Sequence, residues 1–554
     1  MICPNCKKKI RRTAKFCDQC GCEITSAPSF SGSHSAGNGS FLEEILSSIS
    51  MNTVKVVALF TAVVLLFVIL ISSFFSGGSD NSFTYLKDRE LYYSSVSGAK
   101  GKQASSQLLD GSNAVGDISS FVRIDTEGKK LFYIDHFDGS GYDLYYKRTA
   151  RLGGKPKAIA EDINVYDIND KGNKVTYIKN GGDLYQHNLK KQSDKIDSNV
   201  MSFIVSDNGS KILYQKLTID SDRYCVDLYY SKSGKEGTLV ESAIDKICHI
   251  SEDLTQIYYI KSGSLYKLNI GGKPKLISDK ANNVIKIYDS GKIYFTASID
   301  KGASLYYYNG KKDVKLVSNN FYSCEDVSSE KPVILYYTET VTDTETSYAY
   351  KIACDANTYT LEYDISSAHL SDDGEELYYI TNPAKDSNGF GDLMKATVTK
   401  KKLKKPKLVD SNVYSGYYVS GKDFMYVKNY VPEKYMGEVY LNNKKVGEDI
   451  YWGFINYNEE SKSLVYFTDV TAENRATINI YKGKRSKKIA ENVLMYTFNF
   501  TSKGEFLFIS DFESEGDILK ICKNKSAKKV DTDVATVIPI QTNEEYDDFV
   551  RSKF

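Results

Sequence analysis

The chain has 554 residues, too many for one ordinary domain. Its 41% hydrophobic and 26% charged residues are those of a folded protein and exclude a disordered one. A net charge of +1 gives no reason to expect nucleic acid as a partner of the whole chain. Tyrosine is the outlier: 44 Tyr against one Trp and nine Pro. Tyr suits half-buried strands, where the ring packs and the hydroxyl stays wet, so the bulk of the chain is expected to be all-β.

The N-terminus reads "MICPNCKKKIRRTAKFCDQCGCE". Cys3 and Cys6 form one CxxC, and Cys17 and Cys20 form another. Each CxxC lets two thiolates approach one ion from a tight turn, and two of them complete a tetrahedron. With four protein ligands no position stays open for water, so the expected zinc is structural. A head of about 25 residues cannot build a core, and metal binding would supply its folding energy. The stretch "CPNCKKKIRRTAKFCDQCGCE" resembles the short zinc-ribbon domain at the N-terminus of many bacterial membrane proteins. Lys7 stands where that family usually has glycine, whereas Gly21 is kept. Cys22 is a spare thiol. The intervening Lys7, Lys8, Lys9, Arg11, Arg12 and Lys15 read as a topology signal on a solvated loop rather than a nucleic-acid site.

A Gly/Ser-rich linker with a short amphipathic segment is expected over 26–53. A transmembrane helix is expected over 54–75, where Val56 to Phe75 carries no charge. The run lies too deep in the chain for a cleaved signal peptide. Basic residues precede the span and none follows at once in "SGGSDNS", so the head is expected in the cytosol and the rest outside.

Beyond the span a phrase recurs about every 42 residues. It reads "DTEGKKLFYI" (125–134), "NDKGNKVTYI" (169–178), "SDNGSKILYQ" (206–215), "SEDLTQIYYI" (251–260), "SDDGEELYYI" (371–380) and "TSKGEFLFIS" (501–510). A second phrase follows, as in "GDLYQHN" and "GSLYKLN", and then a third, as in "KKPKLVDSNV" and "SKKIAENV". A period in the forties made of short strands predicts four-stranded propeller blades, each needing a neighbour to bury its faces. One unit is traced as "NVYDI", "NKVTYIK", "GDLYQHNL" and "DKIDSNV", with Val175 and Tyr177 on one face and Ile178 on the other. The phrases resemble the WD40-like repeat of the TolB and tricorn propellers. The resemblance implies the fold and leaves the function open. About eleven units are expected, in two rings: a first β-propeller over 81–325 and a second over 326–554. The seam is placed at 321–365, where the Asp-Gly turn is lost.

Strand parity puts the first–second and third–fourth turns on one face of a blade ring. The second–third loops lie on the other face and are long and variable: "DHFDGSGYD", "KLTIDSDRYCVD", "TETVTDTETSYAY", "TNPAKDSNGFGD", "KNYVPEKYMGE" and "TDVTAENRAT". A partner-facing rim is expected there. Signals for chemistry are weak. "DHFDGSGYD" lacks the acid spacing of a calcium loop. His136, His187, His249 and His369 fall in different units, and no G-x-S-x-G elbow occurs. Bridges Cys225–Cys248 or Cys324–Cys354 are open to the sequence, with Cys522 over. No catalytic residues stand out. The expectation is a single-pass membrane protein whose extracytoplasmic propeller region binds an envelope component, an extracellular protein or a glycan, with a cytosolic zinc ribbon that could take a protein partner of its own. A propeller-type surface hydrolase or lyase, or a purely structural assembly factor, are the alternatives.

Overall fold

The computed structural model describes residues 82–540, apart from 89, 95–98, 106–121, 136–140, 150–154, 192, 221–222, 300–301, 342–345, 362–363, 382–388, 460, 502–504, 514–515, 524 and 539. The zinc ligands Cys3, Cys6, Cys17 and Cys20, the linker 26–53 and the span 54–75 lie outside the described residues. Among the described residues no helix is long and apolar enough to cross a membrane. The chain divides into Met1–Phe75 and Ser76–Phe554, and the second is described here.

The strands form seven antiparallel sheets, three of four strands, three of seven and one of eight. Each larger sheet is two four-stranded meanders fused through one long strand: Lys157–Ile168, Val314–Val327, Lys407–Ser420 and Arg485–Leu494. The result is eleven four-stranded blades among the described residues. Blade 1 joins Phe83–Lys87, Glu90–Ser94 and Lys102–Gln103 to the last strand, Val534–Ile538. Blades 2 to 11 span 123–160, 163–197, 202–244, 246–278, 283–318, 321–360, 365–410, 413–451, 456–490 and 493–531. The first strand of blade 1 is therefore supplied by the far end of the chain, with Thr84 opposite Ile538.

Apolar packing follows the same cycle. Eleven core clusters each join consecutive blades. Val175 and Tyr177 face blade 2, while Ile178 and Leu184 face blade 4. The last cluster packs Leu507, Leu519 and Ile521 of blade 11 on Phe83 and Tyr85 of blade 1. The expected boundary at 325/326 falls inside the strand Val314–Val327. Blade 7 loses the Asp-Gly turn but keeps Ile334, Leu335 and Tyr336, which pack on blades 6 and 8. Among the described residues no seam divides the clusters into two cycles, because the core positions of that stretch survive although its turn does not.

The tyrosines have a repeated job. Tyr on the second strand stacks on Tyr directly opposite on the third, at 5.3 Å (Tyr85–Tyr92), 5.3 Å (Tyr214–Tyr229), 5.4 Å (Tyr259–Tyr266) and 5.1 Å (Tyr426–Tyr440). Each inner hydroxyl then donates to an acid on the outer strand of the preceding blade: Asp531 at 2.8 Å, Asp197 at 2.6 Å, Glu241 at 2.8 Å and Asp410 at 3.0 Å. The Lys two residues after each Tyr reaches the same acid, at 3.5 Å (Lys87), 2.6 Å (Lys216), 2.6 Å (Lys261) and 2.5 Å (Lys428). The acid also accepts the amide of the next residue: Thr532, Ser198, Ser242 or Ser411. A clamp of Tyr-x-Lys on acid-Ser/Thr thus locks four blade junctions. Where Ser278 or Ala490 replaces the acid, Phe295 or Phe508 occupies the tyrosine position.

The end of the third phrase is a bulge. Asp162, Asn199, Ala243, Asn412, Asp449, Asn492 and Asp533 have φ between 50° and 60°. Each precedes a buried aliphatic residue: Ile163, Val200, Ile244, Val413, Ile450, Val493 or Val534. The left-handed residue turns the chain from one blade to the next, and Asn and Asp tolerate it best.

Candidate functional site

The second–third connections of blades 4, 7 and 9 run on as hairpins beyond their sheets. In blade 4, Lys211–Asp220 pairs with Arg223–Lys232 down to Asp220 opposite Arg223. The inner neighbour stops at Gln215 and the outer one at Val226, so the tip is a two-stranded ribbon with free edges. Leu217, Ile219 and Tyr224 stand out from it at 57%, 66% and 77% exposure. Arg223 is held 3.2 Å from Asp245 at the base.

Blade 7 extends Val333–Val341 and Thr346–Cys354, paired out to Val341 opposite Thr346. Val341 is 69% exposed. Tyr322 and Tyr348 meet edge to face at 5.1 Å, both exposed. Tyr348 Oη donates to Glu339 at 3.0 Å, which raises its pKa. Blade 9 turns through Pro432–Lys434 and places exposed Tyr435 in a left-handed conformation, φ 55°, beside exposed Val431. Leaving such side chains in water is unfavourable, and their grouping on second–third hairpins is the arrangement a partner would cover. Of the loops named from the sequence, 429–437 and 468–477 are described throughout. The loops 135–143, 216–227, 338–350 and 381–392 each contain residues outside the described set.

A cavity of about 590 Å³ lies on the opposite face, among the turns of blades 6, 7 and 8. Asp355 is among its lining residues. Its carboxylate accepts from Lys292 at 2.9 Å and from Tyr307, and Lys400 lies 3.7 Å away. Burial would raise its pKa, but Tyr307 and Lys292 outweigh burial and hold it below the usual range. Glu375 is paired with Lys331, and Lys422 lies 3.6 Å from it. Both acids are therefore matched by lysines and kept ionised, as charge partners rather than proton donors. This cavity is not legible in the sequence, because its residues come from five separate turns of three blades.

The histidines do not converge. His187 Nδ1 meets Ser193 Oγ at 2.9 Å, His249 tilts on Tyr258, and His369 lies 4.0 Å from Asp326. His136 lies outside the described residues. Cys225, Cys248, Cys324, Cys354 and Cys522 are all free thiols. Cys225 Sγ is 3.5 Å from Asp245, whereas Cys324 Sγ is 3.7 Å from the carbonyl of Asp326, so the proposed bridges do not form.

No family profile matches the chain, and no curated protein matches it in sequence. Solved structures that resemble it include a eukaryotic initiation factor, 10% identical, covering 74% of this chain and 99% of that one with a TM-score of 0.37. The tricorn protease is 12% identical, covering 82% of this chain and 62% of that one with a TM-score of 0.22. A protein assigned as TolB from Agrobacterium tumefaciens is 12% identical, covering 37% of this chain and 83% of that one with a TM-score of 0.21. With likenesses this distant, the assignment of propeller-type repeats rests on the four-stranded meanders and their cyclic packing.

Proposed function

We propose that the chain is a membrane-anchored binding protein whose outer propeller presents its second–third hairpins to an extracytoplasmic protein. The observation that carries this reading is the set of exposed apolar side chains on the hairpins of blades 4, 7 and 9. Aliphatic Leu217, Ile219 and Val341 stand beside exposed Tyr224, Tyr348 and Tyr435, a mixture of aliphatic and aromatic groups that suits the apolar centre of a protein interface. The free edges of the blade 4 ribbon add backbone donors and acceptors for a partner strand. The apolar run 54–75 serves as the anchor, and Cys3, Cys6, Cys17 and Cys20 hold a structural zinc in the cytosol. Bound zinc of about one per chain, lost on Cys3→Ser with Cys17→Ser, checks the head.

The test of the rim is capture by the full chain in its membrane. Leu217→Ser, Ile219→Ser and Tyr224→Ser together leave the blade core untouched. The expected result is about a tenfold or greater loss of a cross-linked envelope partner. An unchanged partner profile, with the rest of the rim also shortened at 429–437, would remove the reading.

A further inference from the structure

We propose that the face opposite the hairpins rests on an anionic phospholipid surface, so that the propeller lies against the membrane with its hairpins pointing away. This rests on the anchored reading above. Three observations lead to it.

The first is charge by repeat position. The third–fourth connections read "GAKGK" (98–102), "RLGGKPK" (151–157), "LKKQSDK" (189–195), "KSGKEG" (232–237), "GGKPK" (271–275), "GKKDVK" (310–315), "TKKKLKKPK" (399–407), "NNKK" (442–445), "KGKRSKK" (482–488) and "KNKSAKK" (523–529). These ten stretches hold more than two fifths of the chain's 72 Lys and Arg, against three acidic residues. Lys190, Lys273, Lys311, Lys401, Lys405 and Lys484 are exposed. Blade 7 alone breaks the pattern, with Asp355 in its short turn.

The second is the opposite charge across the molecule. Three of the second–third loops are acidic, "DHFDGSGYD", "TETVTDTETS" and "DFESEGD", whereas that of blade 9, "KNYVPEKYMGE", is balanced. The basic connections share their face with first–second turns that carry acids such as Asp372, Asp373 and Glu375, so that face is basic in balance, with lysines in excess. Turn-to-turn bonds show that the basic connections share a face. Lys275 Nζ donates to the carbonyl of Lys311 at 3.0 Å, and Lys487 Nζ to that of Lys525 at 2.7 Å.

The third is where the chain ends. Phe83 begins the second strand of blade 1 and Ile538 ends its first, with Thr84 opposite Ile538. Both lie where a first–second turn would be, on the basic face. Only seven residues separate Phe75 from Phe83, a reach of at most about 28 Å over the eight steps. With the apolar run as anchor, a stretch this short lets that face reach the headgroups, and their negative potential, which decays over about 8 Å, would then act on its lysines.

The test uses the full chain reconstituted into vesicles of phosphatidylcholine, with or without about a third phosphatidylglycerol, carrying a headgroup quencher. A fluorescent residue replaces either Lys405 on the basic face or Glu433 on the hairpin face. Strong quenching at 405 is expected in anionic vesicles, falling about tenfold in neutral vesicles or in about 0.5 M salt. Quenching at 433 should stay low throughout. Lys401→Gln, Lys402→Gln, Lys404→Gln and Lys484→Gln together should reduce the signal at 405. Quenching at 405 that ignores lipid charge, or equal quenching at 433, would overturn the proposal. Retention on neutral vesicles through salt washes reads the anchor separately. If retention fails, the anchored reading falls, and flotation with anionic vesicles alone still decides the face: charge-dependent flotation supports it and none overturns it. A DNA oligonucleotide that binds more tightly at the same salt, and that anionic vesicles cannot displace, would assign the face to a soluble polyanion and overturn the lipid proposal.

Discussion

At the scale of single residues, the clamp explains why the sequence is so rich in tyrosine. Asp410 accepts from Tyr426, Lys428 and the Ser411 amide at once. Burial alone would raise its pKa, but Lys428, the Ser411 amide and Tyr426 outweigh burial and lower it. Asp197, Glu241 and Asp531 are lowered in the same way. An acid whose folded pKa lies below its unfolded value of about 4 stabilises the fold above that pH. The contribution is lost as pH falls through the folded value. Burial and the acid push Tyr426 up, so its contribution is kept below about pH 10 and lost above it. Asp410→Asn should cost about 1–3 kcal/mol at pH 7. It should also flatten the fall of stability between about pH 5 and pH 3. Denaturant titrations across that range check both, and a wild-type slope in the variant would refute the assignment. Both halves of the clamp stood in the sequence as "VDSNV" and "MYVK". Their meeting was not legible, because each joins the outer strand of one blade to the second strand of the next.

At the scale of elements, turns and loops behave differently. The phrase "NDKG" was readable as a tight turn, and Gly172 takes φ 50° there. Its reason is not only conformational: a Cβ at Gly172 would sit 2.8 Å from Asp125 Cβ and 3.0 Å from the Phe132 ring. Gly172→Ala should cost about 2 kcal/mol, measured by chemical denaturation. A neutral effect would mean that blades 2 and 3 are not packed at this turn. Leu254 keeps φ 52° at the same place in blade 5, so the glycine itself is not required by every turn. The long hairpins were legible as long loops. Their continuation as paired strands was not, since "KLTIDSDRYCVD" carries no tighter alternation than an irregular loop would. The third phrase was seen to recur, but the left-handed Asn412 before buried Val413 shows its purpose only in three dimensions. The loss of the Asp-Gly turn at 321–365 misled the placement of a seam, because turn chemistry and core packing are set by different residues.

At the scale of the whole molecule, each blade depends on two neighbours, and the cycle is completed by the last strand. Val534 and Val537 enter the cluster that joins blade 11 to blade 1. Removing 534–554 would expose Tyr85, Leu507 and Leu519, so unfolding should begin at that junction. Limited proteolysis of the truncated chain should cut first within blades 1 and 11, and first cuts elsewhere would contradict the closure. The same closure fixes the polarity of the blades, with Phe83 and Ile538 on the basic face and the hairpins on the other.

The central claim is that eleven blades close as one cycle through Tyr85 and Asp531, which lie 446 residues apart in sequence. A photoreactive phenylalanine analogue at Tyr85 of the full chain tests it directly. The account predicts adducts to peptides around 529–533. Two separate rings would instead bring Tyr85 to the outer strand of blade 6, and adducts around 315–320 would contradict the account.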